Sequence, residues 1–401
     1  MKIYIGLTEI RCDGMGSAAI NLVTALQRKG IAFQTVHIKR EVDVPEFLAC
    51  NPRFLRDTNE TFKFEDILGE MIRAVNQDPA CTHFMHFGGR LWGAIIPYLR
   101  PDIKVVVSVH GVSSSSIKNA LAHQERVSVF VPVSWGVEEL LKKALPKAEH
   151  HKIIRVVNAI DVGLYLQKQY SVINQPPKIL YMGRVEDVTK GCDKIPWIAK
   201  QLKAQGMRFQ WDLYGYFHFG YEPRFVKALA RCQVQDVVAH KGCLLPSELR
   251  TMIPQYDVLV MPSNHEGFGL TLVEAMASGV ACVASRLSGV TDKIIDDGKN
   301  GVLVSRNDIA GFARAIESLL CDADLRQSMG AAARERAASC FDLRAHGENY
   351  LRVFEQAAND PAVNIQETFD VQTYRIPEAL KSHILARILP PAIKRFLKKI
   401  V

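Results

Sequence analysis

Short runs of β-branched and aliphatic residues alternate along this chain with longer stretches whose apolar positions recur every three to four residues. "KIYIGL" from Lys2 reads as a strand, and "SAAINLVTALQRKG" as an amphipathic helix ending at Gly30. "AFQTVHI" is the next strand. "IKVVVSVHG" (Ile103 to Gly111) and "VSVFVPVS" (Val127 to Ser134) are apolar almost throughout, the pattern of strands buried on both faces. Four serines follow the first of these, and a helix opens after Ser134. Strands separated by helix-length segments predict a parallel sheet covered on both sides.

The pattern then restarts. A double proline, Pro176 and Pro177, precedes a fresh buried strand at Ile179 to Met182, and the alternation continues through "FQWDLYG", "DVVAHKG", "YDVLVMPS", "VACVAS" and "NGVLV". The expectation is an α/β chain of two doubly wound parallel-sheet domains, residues 1–165 and 166–345, joined by a connection between about Asn158 and Pro177. Residues 346–401 are read as a crossing helix followed by a basic tail. No short-period repeat is visible.

Composition changes this picture little. The 401 residues are 48% hydrophobic and 23% charged, as in an ordinary globular protein with ample core. The net charge of +8 is too small to imply nucleic acid, but fits phosphorylated ligands or an anionic membrane surface. Six Lys/Arg and one Glu fall after Arg375, so most of that charge sits at the end of the chain. There Ile393, Phe396, Leu397 and Ile400 share one helical face and Lys394, Arg395, Lys398 and Lys399 the other. This tail reads equally as a membrane-surface anchor or as a helix packed on the protein. Nine cysteines without a CxxC pair predict a reducing, cytoplasmic setting. "MKIYIGLTEIRCDG" has no long apolar segment, so no secretory signal is expected, and no run has the length of a membrane span.

The chemistry concentrates in "NHEGFGLTLVEAMASG", Asn264 to Gly279. It joins a strand ending at Pro262 to a helix beginning near Leu270 or Thr271 and stopping at Gly279. Such a loop lies at the carboxyl end of a parallel strand, where open α/β sheets bind ligands. Gly267 and Gly269 let the backbone approach a ligand, and the helix start offers free N–H groups to a phosphate. Glu266 and Glu274 flank that site. Each carboxylate can accept two hydroxyls, so the pair suits a diphosphate bearing a sugar at each end. The bland alternative is one solvated loop acid and one exposed helix acid. A second stretch, "MGRVEDVTKGCDKI", places Arg184 after Gly183, with Lys190 and Gly191 in the same loop. Arg offers a bidentate fork to phosphate and Lys a mobile point charge.

"GRVEDVTKG" and "PSNHEGFGLTLVEAMASGVACVAS" together resemble the retaining nucleotide-sugar glycosyltransferases of family 4, which have the GT-B fold. "VVNAIDVGLY" is similar to the family segment before the interdomain connection, with Ala159 where glycine is usual. "DVVAHKGCLLPSELRTMIPQYDVLVMPS" and "DDGKNGVLV" extend the likeness over most of the chain. The resemblance implies that Arg184 and Lys190 hold the donor diphosphate. It implies that Glu274 binds the ribose, and that Glu266 binds the transferred sugar with the N–H groups of Gly267, Phe268 and Gly269. Leu270 and Thr271 complete the donor wall, and His110 lies near sugar and phosphate. A core histidine is the alternative for His110. Retention at the anomeric carbon, no cofactor and no bound metal are implied as well. The partners would be a nucleotide-sugar donor and a glycan or lipid-linked acceptor, as in bacterial surface polysaccharide or lipopolysaccharide synthesis at the inner face of the membrane.

Other features compete. Gly14-x-Gly16-x-x-Ala19 follows the first strand like a dinucleotide fingerprint and would make the protein an oxidoreductase, although no clear acidic partner follows. In the glycosyltransferase reading this loop, with Gly16, faces the donor phosphates. A catalytically silent subunit, a phosphorylase and an epimerase on the same fold are further alternatives. His83 and His86 in "HFMHFGGR" lack a third ligand, and His86 is expected at the cleft. The "DAD" at Asp322 to Asp324 is expected to cap a helix rather than bind metal.

Overall fold

The computed structural model describes residues 1–7, 14–39, 52–56, 64–87, 90–171, 174–361, 366–370 and 374. Twelve strands among these form two six-stranded sheets, ordered β3-β2-β1-β4-β5-β6 and β12-β11-β10-β7-β8-β9. The first sheet holds β1 (Lys2–Leu7), β2 (Ala32–Lys39), β3 (Arg53–Arg56), β4 (Cys81–His86), β5 (Lys104–Val109) and β6 (Val127–Pro132). The second holds β7 (Lys178–Met182), β8 (Gln210–Tyr214), β9 (Val238–His240), β10 (Val258–Met261), β11 (Ala281–Ser285) and β12 (Val302–Val304). Every strand pair is parallel. Each sheet therefore has the doubly wound order, and its direction of winding reverses between β1 and β4 in one and between β7 and β10 in the other.

The helices of seven residues or more are α1 (Gly14–Arg28), α2 (Phe64–Asn76), α3 (Ser114–Ala120), α4 (Trp135–Ala144), α5 (Ile195–Ala204), α6 (Glu222–Cys232), α7 (Pro246–Met252), α8 (Leu270–Ala277), α9 (Ile309–Cys321), α10 (Ala323–Cys340) and α11 (Leu343–Asn359). Their starts follow local chemistry. The Ser134 hydroxyl accepts from the Val137 N–H ahead of α4, and the Asp322 carboxylate accepts from the Leu325 N–H ahead of α10, each cap being worth about 1 kcal/mol. The Asp322–Asp324 triplet is thus a helix start. β5 and β6 are buried along almost their whole length, which explains their continuous apolar sequences.

The chain crosses between the domains at two adjacent points. Ile160 N–H donates to Phe341 O and Leu343 N–H to Ile160 O, both at 2.9 Å. α11 then returns to pack on α1, β5 and β6 of the first domain. Its Tyr350 and Phe354 are almost fully buried there, each contributing about 2 kcal/mol of transfer free energy. Further on, Glu367 N–H donates to Pro97 O at 2.9 Å and the Phe369 ring meets Tyr98 edge-on at 5.2 Å, so the chain continues over the first domain. The basic tail from 376 lies outside the described residues.

Two sequence expectations need correction. α1 begins at Gly14, so Gly14 and Gly16 are helical and do not form a loop after β1. β3 was not anticipated, because "RFLR" is a four-residue edge strand flanked by arginines.

Candidate functional site

β7 and β10 are neighbours at the winding reversal of the second sheet, and the loops leaving their carboxyl ends carry the candidate residues. These loops, residues 183–191 and 262–269, are tied to each other. Thr189 O accepts from the N–H groups of Asn264 (2.8 Å) and His265 (3.0 Å), and Asn264 Nδ2 donates to Asp187 O at 3.0 Å. Below them the buried Lys194 ammonium donates to Pro262 O at 2.8 Å and to Asn264 Oδ1 at 2.5 Å. Burial draws the Lys194 pKa down, although it keeps two acceptors. Gly191, at φ +62°, packs against Pro262 O where a Cβ would overlap that oxygen. Gly269, at φ +106°, turns the chain into α8.

The loops and the first domain enclose a cavity of about 770 Å³. Arg184, Lys190, Glu266, Gly267–Thr271 and Gly183 line it from the second domain, and His110 and Gly111 from the first. A smaller adjoining cavity shares Gly14, Met182, Gly183, Leu270 and Thr271 with it and is walled by Glu274 and Tyr214. The two glutamates therefore open into neighbouring spaces on either side of the start of α8. Gly16 lines neither cavity, being buried inside α1, while Gly14 and Met15 reach the cleft instead.

The charges arrive partly paired. Lys190 Nζ contacts both oxygens of Glu266, at 2.7 and 2.8 Å, and Ser263 Oγ donates to Glu266 Oε1 at 2.7 Å. Arg184 Nη2 donates to Glu186 Oε1 and, at 3.2 Å, to Thr189 Oγ1, and Thr189 donates to the same Glu186 oxygen. Glu274 is buried, and burial raises its pKa, opposed by the Tyr165 hydroxyl at 3.2 Å and by the Arg250 charge.

His110 follows β5, half-buried at the cleft with its ring 4.5 Å from Phe87. Ser108 Oγ lies 2.8 Å from its Nε2, and Tyr350 of α11 hydrogen-bonds Ser108. Burial, with His86 and His346 nearby, draws the His110 pKa down to about 3, so the ring is neutral near pH 7. His86 and His110 share a third cavity of about 290 Å³ with Ser116 and Asn119, on the first-domain side. His83 instead points into the core, its Nε2 3.0 Å from Phe354 O. Among the described residues no group of three His, Cys, Asp or Glu is placed to hold a metal ion.

Sequence reasoning missed the residues that brace this set: Glu186 beside Arg184, Tyr165 beside Glu274, and Ser108 with Tyr350 behind His110. Only Glu186 had a local signal, as an acid two positions after Arg184 in the same loop. Together the two cations and the free N–H groups of α8 suit an anion, and the flanking carboxylates suit hydroxyls.

Residues 166–336 match the protein family described as Glycosyl transferases group 1. The chain is 27% identical over 257 residues to a putative colanic acid biosynthesis glycosyltransferase, WcaL, of Salmonella typhimurium, covering 60% of this chain and 62% of that protein. It is 42% identical over 125 residues to the D-inositol 3-phosphate glycosyltransferase of Corynebacterium diphtheriae, covering 30% of this chain and 29% of that one. The matches thus span less than two thirds of these relatives. In structure it resembles Anabaena HepE in complex with UDP and glucose, with a TM-score of 0.73 at 15% identity over 88% of this chain and 99% of the other. It also resembles the sucrose-phosphate synthase of Thermosynechococcus elongatus, with a TM-score of 0.74 at 19% identity over 89% and 98%. Residues 166–336 thus match the group 1 glycosyl transferases, and the chain as a whole has the two-domain α/β GT-B fold of these solved structures.

Proposed function

We propose that this protein is a retaining glycosyltransferase that moves a sugar from a nucleotide-diphosphate-sugar to a hydroxyl of a glycan or lipid-linked glycan. The observation that carries the reading is the placement of Glu266 and Glu274 in adjoining cavities, with Lys190, Arg184 and the start of α8 between and beside them. In this reading Glu274 accepts the ribose hydroxyls in the smaller cavity. Arg184, Lys190 and the α8 N–H groups hold the diphosphate, and Glu266 accepts hydroxyls of the transferred sugar.

Lys190 must leave Glu266 for the phosphate, and this frees the carboxylate for the sugar. Glu266, the carboxylate of the larger cavity, is assigned to the hydroxyls of the sugar rather than to a covalent sugar intermediate. The reaction then proceeds on one face: the bond from the anomeric carbon to the diphosphate breaks, the acceptor oxygen attacks from the same side, and its proton passes to the leaving phosphate. The protein contributes position and charge. The neutral His110 ring beside the cleft offers a hydrogen bond to the sugar or phosphate. The acceptor enters from the first domain through the cavity lined by His86, Ser116 and Asn119.

A thermal-shift screen with UDP-, GDP-, ADP-, CMP- and dTDP-sugars tests the donor site. A selective rise in melting temperature that Glu274→Ala abolishes supports it, and no shift with any of them overturns it. Contact of the basic residues 376–401 with an anionic membrane surface belongs to the same reading. Sedimentation of the full chain with phosphatidylglycerol vesicles, and its loss on removing residues 376–401, is the corresponding check.

A further inference from the structure

Tyr165 follows the short helical turn Val162–Leu164, just past the point where the chain enters the second domain. Its ring is buried, and its hydroxyl donates to Glu274 Oε1 at 3.2 Å. Arg250, from α7, hydrogen-bonds the same phenol oxygen. A guanidinium, a phenol and a carboxylate thus form a line that ends on the wall of the smaller cavity. Packing alone does not need the hydroxyl, since a phenylalanine ring would fill the same space.

We propose that Tyr165 is a positioning residue for nucleotide binding: its hydroxyl fixes one oxygen of Glu274, passes on the influence of the Arg250 charge, and leaves the other oxygen for the ribose diol. The inference rests on the donor reading above. A buried carboxylate tends to take up a proton, and a protonated acid is a poorer acceptor for two hydroxyls. The phenol opposes both protonation and rotation of the carboxylate. The other groups around Glu274 do not replace it. α1 brings Ser17 and Gly14 to the cavity, the other titratable groups on its wall are Cys243 and Tyr214, whose hydroxyl accepts from Tyr256 at 3.3 Å, and Arg334 of α10 donates to the carbonyls of Tyr165 and Ala277. Tyr165 and Arg250 are the titratable or charged groups among the described residues that act on the carboxylate.

The test is calorimetric titration of the full chain with UDP, GDP and ADP between pH 6 and 9, carrying forward whichever binds. Tyr165→Phe removes only the hydroxyl. It should weaken binding about 10-fold, in line with one lost hydrogen bond to a charged group, with the larger loss toward the acid end of the range, where the carboxylate more readily takes up a proton. In a Glu274→Gln background the same change should have no further effect. An unchanged affinity in Tyr165→Phe, or a loss equal at every pH, overturns the assignment, the second by showing a packing role. If neither these nucleotides nor any other of the donor screen binds the parent, or if Glu274→Gln binds as the parent does, the donor reading itself fails and takes this inference with it. If Glu274→Gln weakens binding and Tyr165→Phe does not, only the role of Tyr165 falls.

Discussion

Gly267 lies against the backbone of His110 so closely that a side-chain carbon on Gly267 would overlap the His110 carbonyl oxygen. One residue belongs to the loop after β10 and the other to the end of β5, so the two domains touch beside the cleft through bare main chain. Gly267→Ala should therefore hold the domains apart at that point. Turnover is expected to fall about 100-fold, the scale of an ångström misplacement of reacting groups, with a melting temperature close to the parent's. Solution X-ray scattering should show a larger radius of gyration. A variant with parental turnover would show that this contact is not part of the working state.

The bidentate contact between Lys190 and Glu266 makes a second prediction. On the proposed donor reading, Lys190→Met removes a phosphate ligand, and it leaves a mostly buried carboxylate with the hydrogen bond from the Ser263 hydroxyl but without its ion-pair partner. Nucleotide binding should weaken by about 2 kcal/mol, near 30-fold in Kd, and become less sensitive to salt. Titrations at low and high ionic strength measure both effects.

Buried histidines set the response to acid. Burial draws His37 and His110 down to about 3 and His346 down to about 4. In the unfolded chain each takes up a proton near pH 6.5, so the unfolded state binds more protons than the folded one between these values. The stability contributed by the neutral rings is complete above about pH 6.5 and drains away as pH falls toward 4 and 3, with a limiting slope of about 1.4 kcal/mol per pH unit for each histidine. Urea midpoints should drop steeply from pH 7 to pH 5, and His346→Asn should flatten that dependence while lowering stability at pH 7.

Lys194 offers a test of the loop scaffold. Its ammonium holds Pro262 O and Asn264 Oδ1 beneath the loop that carries Glu266. Lys194→Met should lower stability by about 1–3 kcal/mol and speed hydrogen exchange in residues 262–269. Exchange at parental rates would show that the ties through Thr189 suffice.

Much of the fold was legible because its strands are buried on both faces. "KVVVSV" and "VSVFVP" can be little else when they recur at helix-length intervals. β3 was not legible, since an edge strand of four residues carries too few apolar positions to mark itself. The start of α1 was misread because Gly14 and Gly16 have low helix propensity, and packing overrode it. The principal site residues announced themselves through type and spacing within single loops. Their supports did not: Tyr165 and Glu274 are 109 residues apart, and Ser108, Tyr350 and His110 meet only once α11 has returned.

The paired crossings at Ile160 and Phe341–Leu343 also have a consequence for biosynthesis. The second domain is an uninterrupted length of chain, whereas the first is split around it. During vectorial synthesis the second can close its core while β5 and β6 still await α11. A nascent chain released before residue 343 would carry a finished second domain beside a first domain lacking Tyr350 and Phe354, with that apolar face open to chaperones.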